Sequence, residues 1–204
     1  MCGIAGLIHR GKSSNVGEEL QSMLQALKHR GPDSTGYALY ANNDGQNFIL
    51  RFKVGENVGE GSTSVNEDES VYNERKKTVD KKLLELDAPI IKEEKLTPYS
   101  YRYEIKYDKD LMEFSKAIES IESVEILSIG KSLELIKDLG DATTVSKRYG
   151  LNKVQGTHGI GHARMATESG VDIKSAHPFW GYPFSDVSVV HNGQLTNYWN
   201  NRRM

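Results

Sequence analysis

The stretch Met1-Cys2-Gly3-Ile4-Ala5-Gly6-Leu7-Ile8-His9 sets the fold. Residues 2–9 are short, apolar and glycine-rich, the pattern of a buried strand that begins at Cys2. Cys2 is the one cysteine among 204 residues. Once Met1 is removed, it carries two reactive groups. Its thiol is a strong nucleophile when ionised. Its α-amino group, with a reference pKa of roughly 7.7–8.0, can act as general base. A nucleophile activated by its own terminal amine is one route to covalent catalysis. Small Gly3 allows a tight backbone path and close approach by a substrate. Taken alone, a single cysteine near a terminus is more often a small buried apolar residue.

Beyond this stretch, Arg10–Val16 is a polar break. Leu20, Met23, Leu24 and Leu27 recur at i, i+3, i+4, i+7, which predicts an amphipathic helix over 17–29. Gly31-Pro32 ends it. Thr35–Tyr40 and Asn47–Val54 return to strands, with Asn42-Asn43-Asp44-Gly45 between them as a hairpin turn. Residues 55–97 are polar and then mixed in charge around Leu83, Leu84 and Leu86. They read as a weakly ordered connection with one short helix, or else as a lid or docking loop. Tyr101, Tyr103, Ile105 and Tyr107 alternate as in a half-buried strand. Leu111, Phe114, Ile118 and Ile121 have helical spacing behind Asp110 and Glu113, placed like a capping pair. Val124–Ile129 predicts a second strand, and Ser132 a helix through Leu139 that Gly140 terminates. This strand–helix–strand–helix stretch suits a small subdomain. Gln155–Arg164 and Asp186–His191 read as strands ending at a site. Asn192-Gly193 turns away, and Thr196–Met204 begins another helix.

The length suits one domain, or one domain with a large insertion. The 26 Lys+Arg nearly balance 28 Asp+Glu, and a net charge of -2 argues against nucleic acid or an anionic membrane as partner. One cysteine excludes an intramolecular disulfide framework. No segment approaches the ~18 apolar residues of a membrane span, and the N-terminus lacks signal-peptide regions. A soluble, cytoplasmic chain is expected. With no basic patch nearby, the tyrosines of 99–107 suit packing rather than base stacking. His158 and His162, four apart, would suit zinc on a helix but not on the strand predicted there, so no metal is expected. His177 and His191 are expected to pack near the cleft.

Three later stretches join Met1–Gly6: His29-Arg30-Gly31-Pro32-Asp33-Ser34-Thr35-Gly36, Gly161-His162-Ala163-Arg164-Met165-Ala166-Thr167 and His191-Asn192-Gly193. Together, and in this order, they resemble the class II (N-terminal-nucleophile) glutamine amidotransferases. The resemblance implies an α+β, four-layer αββα N-terminal-nucleophile hydrolase fold. It also implies one type-2 glutamine amidotransferase domain over 1–204, with a core of 1–54 and 151–204 around an insertion at 55–150. The reaction implied is hydrolysis of glutamine to glutamate and ammonia through a γ-glutamyl thioester on Cys2. Asn192-Gly193 by itself is either a hairpin turn signal or a pair of oxyanion donors, side-chain amide and backbone N–H; the resemblance assigns the latter. Arg164 is either a surface ion-pair partner or a two-pronged clamp for a substrate α-carboxylate, and the resemblance favours the clamp, with the Thr167 hydroxyl beside it. Arg30 and Asp33 are read as a scaffold around the nucleophile.

Gly161–Ser169, His177-Pro178-Phe179 and Val190–Asn197 resemble the amidotransferase components of glutamate-synthase-like systems, including the archaeal-type and N-methylglutamate synthases. Leu127–Lys131 and Tyr149–Leu151 are similar to that group's inserted segment. Met165 differs from the hexosamine-forming enzymes, which prefer tryptophan. The implied partner is an ammonia-accepting synthase subunit of flavin and iron–sulfur type. The chain itself is expected to carry no cofactor, since one cysteine cannot hold a cluster. Alternatives are an amidotransferase for phosphoribosyl diphosphate, hexose phosphate or aspartate, or a non-catalytic glutamine-binding or assembly subunit. In the family, a segment after Asn-Gly supplies an acidic residue for the substrate α-amino group. The chain ends at Met204, so its C-terminal part reads as truncated or completed by another polypeptide.

Overall fold

A computed structural model describes residues 2–31, 33–55, 67–165 and 173–193. Cys2 leads directly into β1 (Gly3–Ile8), followed by α1 (Val16–Ala26), β2 (Ser34–Ala41) and β3 (Phe48–Lys53). Next come α2 (Glu69–Glu85), β4 (Ile90–Thr97), β5 (Ser100–Ile105), α3 (Leu111–Glu119), β6 (Glu125–Gly130) and β7 (Leu133–Leu139). The described chain closes with α4 (Ala142–Tyr149), β8 (Gly156–Arg164) and two short strands, β9 (Phe179–Trp180) and β10 (Ser188–Val189). The strands form two four-stranded antiparallel sheets, ordered β1-β8-β2-β7 and β4-β5-β3-β6, and the β9-β10 pair.

Each sheet buries one face against helices. The Asn15 side chain accepts the Glu18 backbone N–H at 3.2 Å and starts α1. Its buried Val16, Leu20 and Leu24 pack with Tyr37 and Leu39 of β2 and with Val145 and Tyr149 of α4. The helix lies close because β8 is glycine-rich where they meet. A Cβ on Gly161 would stand 2.5 Å from Leu24 Cδ1. The second sheet packs Leu50, Phe52, Tyr101 and Tyr103 against Val79 and Leu83 of α2 and Phe114 and Ile118 of α3. Ala38, Leu133 and Leu135 of the first sheet meet Leu127 of the second in a smaller cluster. The architecture is mixed α and β, with antiparallel sheets.

β1, α1, β2, β3, β5, α3, β6 and β8 lie where the sequence places them, although β1 is an edge strand with Ile4 and Ile8 exposed and not a buried one, and Asp110 caps α3 by accepting the Met112 N–H at 2.8 Å. Other expectations are corrected. β2 and β3 are not a hairpin, since β2 pairs with β7 and β8 while β3 pairs with β5 and β6, so the Asn42–Gly45 turn carries the chain between sheets. Residues 67–97 hold a 17-residue helix and an edge strand instead of a weakly ordered connection. Of α2 only Tyr72, Val79 and Leu83 are buried, too sparse a stripe to stand out. β4 is masked by the Lys and Glu typical of edge strands. Residues 133–139 form β7, not a helix, and α4 follows it. All seven β7 residues are buried, so no period-2 alternation survives, and its charged residues are paired internally. Arg51 and Arg102 bind Glu134; Tyr99, Tyr149 and Arg148 bind Asp138; Glu125 pairs with Lys137. The strands of 90–139 therefore share sheets with β2 and β3 rather than forming a strand–helix–strand–helix unit of their own. Within 186–191 the strand shrinks to Ser188–Val189. The helix expected over Thr196–Met204 lies outside the described residues.

Candidate active site

The site forms where β1, β8 and β2 end side by side. The register pairs Gly3 with Ala163, and Ser34 with Arg164. One residue beyond the first pair, Cys2 comes alongside Arg164. On β8, Gly161 faces α1, so by alternation His162 and Arg164 point to the opposite face. Arg164 is buried, at 7% exposure, which rules out the surface ion-pair reading. Cys2 is half-buried, with Sγ 4.0 Å from the Met165 carbonyl oxygen.

Two distant side chains converge on the backbone of the nucleophile. Asn192 Nδ2 donates to the Cys2 carbonyl oxygen at 2.9 Å, and Arg30 Nε donates to the same oxygen at 3.4 Å. An asparagine amide has two N–H donors, so one engaged with Cys2 leaves the other for a further acceptor. Asp33 acts through its backbone: its N–H donates to the Arg164 carbonyl at 3.1 Å and its carbonyl accepts the Gly140 N–H at 3.0 Å. The segment lies flush on β8, because a Cβ on Gly31 would sit 2.5 Å from the Ala163 oxygen. Gly193 follows beside the His191 ring, with an added Cβ 3.0 Å from Nε2. The structure thus brings Cys2, Arg30, Asp33, Arg164, Asn192 and Gly193 to one end of the first sheet. Thr167 lies outside the described residues.

Two features escaped the sequence, one beside the site and one at the far end of the sheet, where Leu133 pairs with Tyr40. The His162 and His177 rings pack against each other at a 40° tilt with centroids 4.9 Å apart, and Phe179 lies edge-on to His177 at 4.5 Å. Burial pushes the His162 imidazole down to about 4, with His177 and Arg164 adding to the effect. The His191 backbone lies near His162 without a hydrogen bond of normal geometry, and it does not offset that burial. His177 is likewise lowered to about 4, first by burial and then by His191, Lys137 and Arg164. Both rings are therefore neutral at pH 7. The pair's sequence signal was the placement of His162 two residues before Arg164 on one strand face. The second feature is a carboxylate anchor at Asp186, which accepts the backbone N–H groups of Lys131, Ser132 and Leu133 at 3.0, 2.7 and 2.8 Å. Among the described residues, no group of three or more His, Cys, Asp or Glu side chains is arranged to hold a metal ion, and no helix is long and apolar enough to cross a membrane.

No protein-family model matches the chain. It is 38% identical over 208 residues to a protein of Methanothermobacter thermautotrophicus that carries the name glutamine amidotransferase, covering 98% of this chain and 63% of that protein. It is 32% identical over 205 residues to the glutamine amidotransferase-like protein GlxB of Rhizobium meliloti, covering 100% of this chain and 62% of the relative. A shorter match, 34% over 96 residues, covers 46% of this chain and 16% of a glutamine–fructose-6-phosphate aminotransferase of Methanococcus maripaludis. These relatives support a class II glutamine amidotransferase. The chain spans less than two thirds of the length of the two relatives matched along its whole extent.

Proposed function

We propose that the chain is the glutamine-hydrolysing part of a class II glutamine amidotransferase. The Cys2 thiol gives its proton to the α-amino group, directly or through one water, and the sulfur attacks the side-chain carbonyl carbon of glutamine. The tetrahedral oxyanion is held by the second Asn192 amide N–H and the Gly193 backbone N–H. One such donor contributes about 3 kcal/mol to lowering the barrier. Collapse breaks the C–N bond, the ammonium of Cys2 returns the proton to the leaving nitrogen, and ammonia departs. Water then hydrolyses the γ-glutamyl thioester, giving glutamate and the free thiol. Arg164, with Thr167, holds the substrate α-carboxylate through parallel hydrogen bonds. Arg30 and Asp33 hold the backbone of the nucleophile and of β8. The observation that carries this reading is the convergence of Asn192 and Arg30 on the Cys2 carbonyl, alongside Arg164.

The finer reading is a four-layer αββα N-terminal-nucleophile hydrolase fold over 1–204, in a cytoplasmic protein. It is supported by helices on one face of each sheet and a small apolar cluster between the sheets. The ammonia acceptor is a glutamate-synthase-type subunit carrying flavin and iron–sulfur centres, favoured by the Gly161–Ser169 and Val190–Asn197 motifs. Relatives matched over short stretches include an amidophosphoribosyltransferase and an aminotransferase of fructose 6-phosphate, so phosphoribosyl diphosphate and hexose phosphate are the alternative acceptors. The test is glutamate release from glutamine by untagged protein whose Cys2 amine is shown free by intact mass. A glutamine analogue bearing a diazoketone should add once, at Cys2. Hydrolysis should vanish in Cys2→Ala; a Cys2→Ala protein as active as wild type refutes the mechanism.

A further inference from the structure

Asn192 reaches the nucleophile at the end of an arm, residues 173–193, that has little regular structure. Its only strands are the two-residue pieces β9 and β10, paired with each other and not with either large sheet. The hydrogen bonds Gly181 N–H to the Val187 carbonyl, Phe184 N–H to the Gly181 carbonyl and Trp180 Nε1–H to the Phe184 carbonyl tie the arm to itself. What ties it to the fold is largely side-chain chemistry. Ser188 Oγ meets Tyr40 Oη at 2.9 Å, and the Asp186 carboxylate seats on the β6–β7 turn.

The Asp186 seat is built for that carboxylate. Besides the three backbone donors, Ser132 Oγ–H donates to Oδ1 at 3.0 Å. Gly130 leaves the space: a Cβ there would stand 2.6 Å from Asp186 Oδ1. Asp186 also takes φ 58, a left-handed conformation that aspartate tolerates better than most residues. Burial alone would raise its carboxyl, but the Leu133, Ser132 and Lys131 donors more than offset it and hold it below the usual range. Asn192 lies six residues on, within about 20 Å of extended chain.

We infer that Asp186 is a positioning residue, the pivot that sets the arm and so places the Asn192 amide on Cys2. This inference rests on the site read above, though the anchoring itself does not require that Asn192 act on an oxyanion. Asp186→Asn keeps the tolerated φ and the volume but, with its amide oxygen in the place of Oδ1, turns its NH2 group on the Lys131 N–H donor. Asp186→Gly relieves φ and removes the anchor altogether. Two readouts test the pivot, each in a double-mutant cycle with Asn192→Ala, on variants whose circular dichroism matches wild type. The first is the alkylation rate of Cys2 by iodoacetamide, which a loosened arm should raise at least about 5-fold in Asp186→Asn, in Asp186→Gly and in Asn192→Ala. The second is glutamine hydrolysis, with kcat expected to fall at least about 10-fold in Asp186→Asn and KM to change less than 2-fold, since Arg164 belongs to β8 and not to the arm. Ser132→Ala, which removes one of the four donors, should shift both readouts in the same direction by less.

In both cycles the double variant should match Asn192→Ala, because the two residues act through one contact. Effects that multiply, or Asp186 variants that alkylate at the wild-type rate, overturn the inference. A non-additive alkylation cycle in a protein that hydrolyses no glutamine upholds the pivot and refutes the reading of the site instead.

Discussion

Gly36→Ala should damage the site from a distance. Gly36 lies in β2 between His162 of β8 and Lys137 of β7. The only obstacle to a side chain there is space. A Cβ would stand 2.0 Å from the His177 carbonyl oxygen and 2.8 Å from Pro178 Cδ. Relaxed carbon–oxygen contacts lie near 3.3 Å, so the arm must retreat by roughly 1.3 Å. Overpacking of this kind costs about 1–3 kcal/mol. At about 2–4 °C per kcal/mol for a chain of this size, a central value of about 2 kcal/mol lowers Tm by about 4–8 °C. Displacing a catalytic group by about 1 Å costs on the order of 100-fold in rate, and the arm carries Asn192. Differential scanning calorimetry and steady-state glutaminase assays measure both quantities. Gly45→Ala is the control: its φ is 71 and nothing lies within 4 Å. That variant should lose about 1 kcal/mol to the left-handed backbone and keep its kcat. A Gly36→Ala protein with Tm within about 1 °C and kcat within 2-fold of wild type would show that the arm does not rest on β2.

Two further expectations concern buried charge and pH. Glu134 is bound by Arg51 and Arg102; burial opposes its ionisation, but the two guanidiniums prevail and hold its pKa at about 2. Its contribution, about 3 kcal/mol by linkage, is complete above pH ~4.5 and fades as pH falls toward 2. Glu134→Gln should therefore cost about 3–5 kcal/mol in urea unfolding at pH 7 and much less at pH 3, with an equal loss at both pH values counting against the ion pairs. His162 and His177 are kept neutral, with pKa near 4 against 6.5 unfolded, so the unfolded chain binds more protons between those values. Stability should fall as pH drops from 6.5 through 4, and His162→Gln should flatten that slope. An unchanged slope in the variant would mean that the pair does not govern the acid limb.

The parts of the fold legible in the sequence are those where pattern and environment agree. The run behind Cys2 forms a strand with Ala5 on its buried face, and of the helical stripe Leu20 and Leu24 are buried while Met23 is exposed. β7 was illegible because Glu134, Lys137 and Asp138 are buried with partners from β3, β5, β6 and α4, and no local pattern announces partners so far away in the chain. β4 hid for the opposite reason, as an edge strand whose charges face water. The residues named from the motifs assemble at one strand end, except Thr167, which lies outside the described residues. The His162–His177 pair and the Asp186 seat escaped because their meaning depends on contacts between segments, not on spacing within one.

The pairing of β1 has a consequence for the order in which the molecule is made. Among the described residues β8 is the sole neighbour of β1 in its sheet, with Gly3 set against Ala163. During synthesis at about 5–20 residues per second, that partner emerges roughly 8–30 s after Cys2 does. For that interval β1 is without that partner. On the mechanism proposed above, release of the Cys2 amine can then precede the arrival of β8, which builds the site around it.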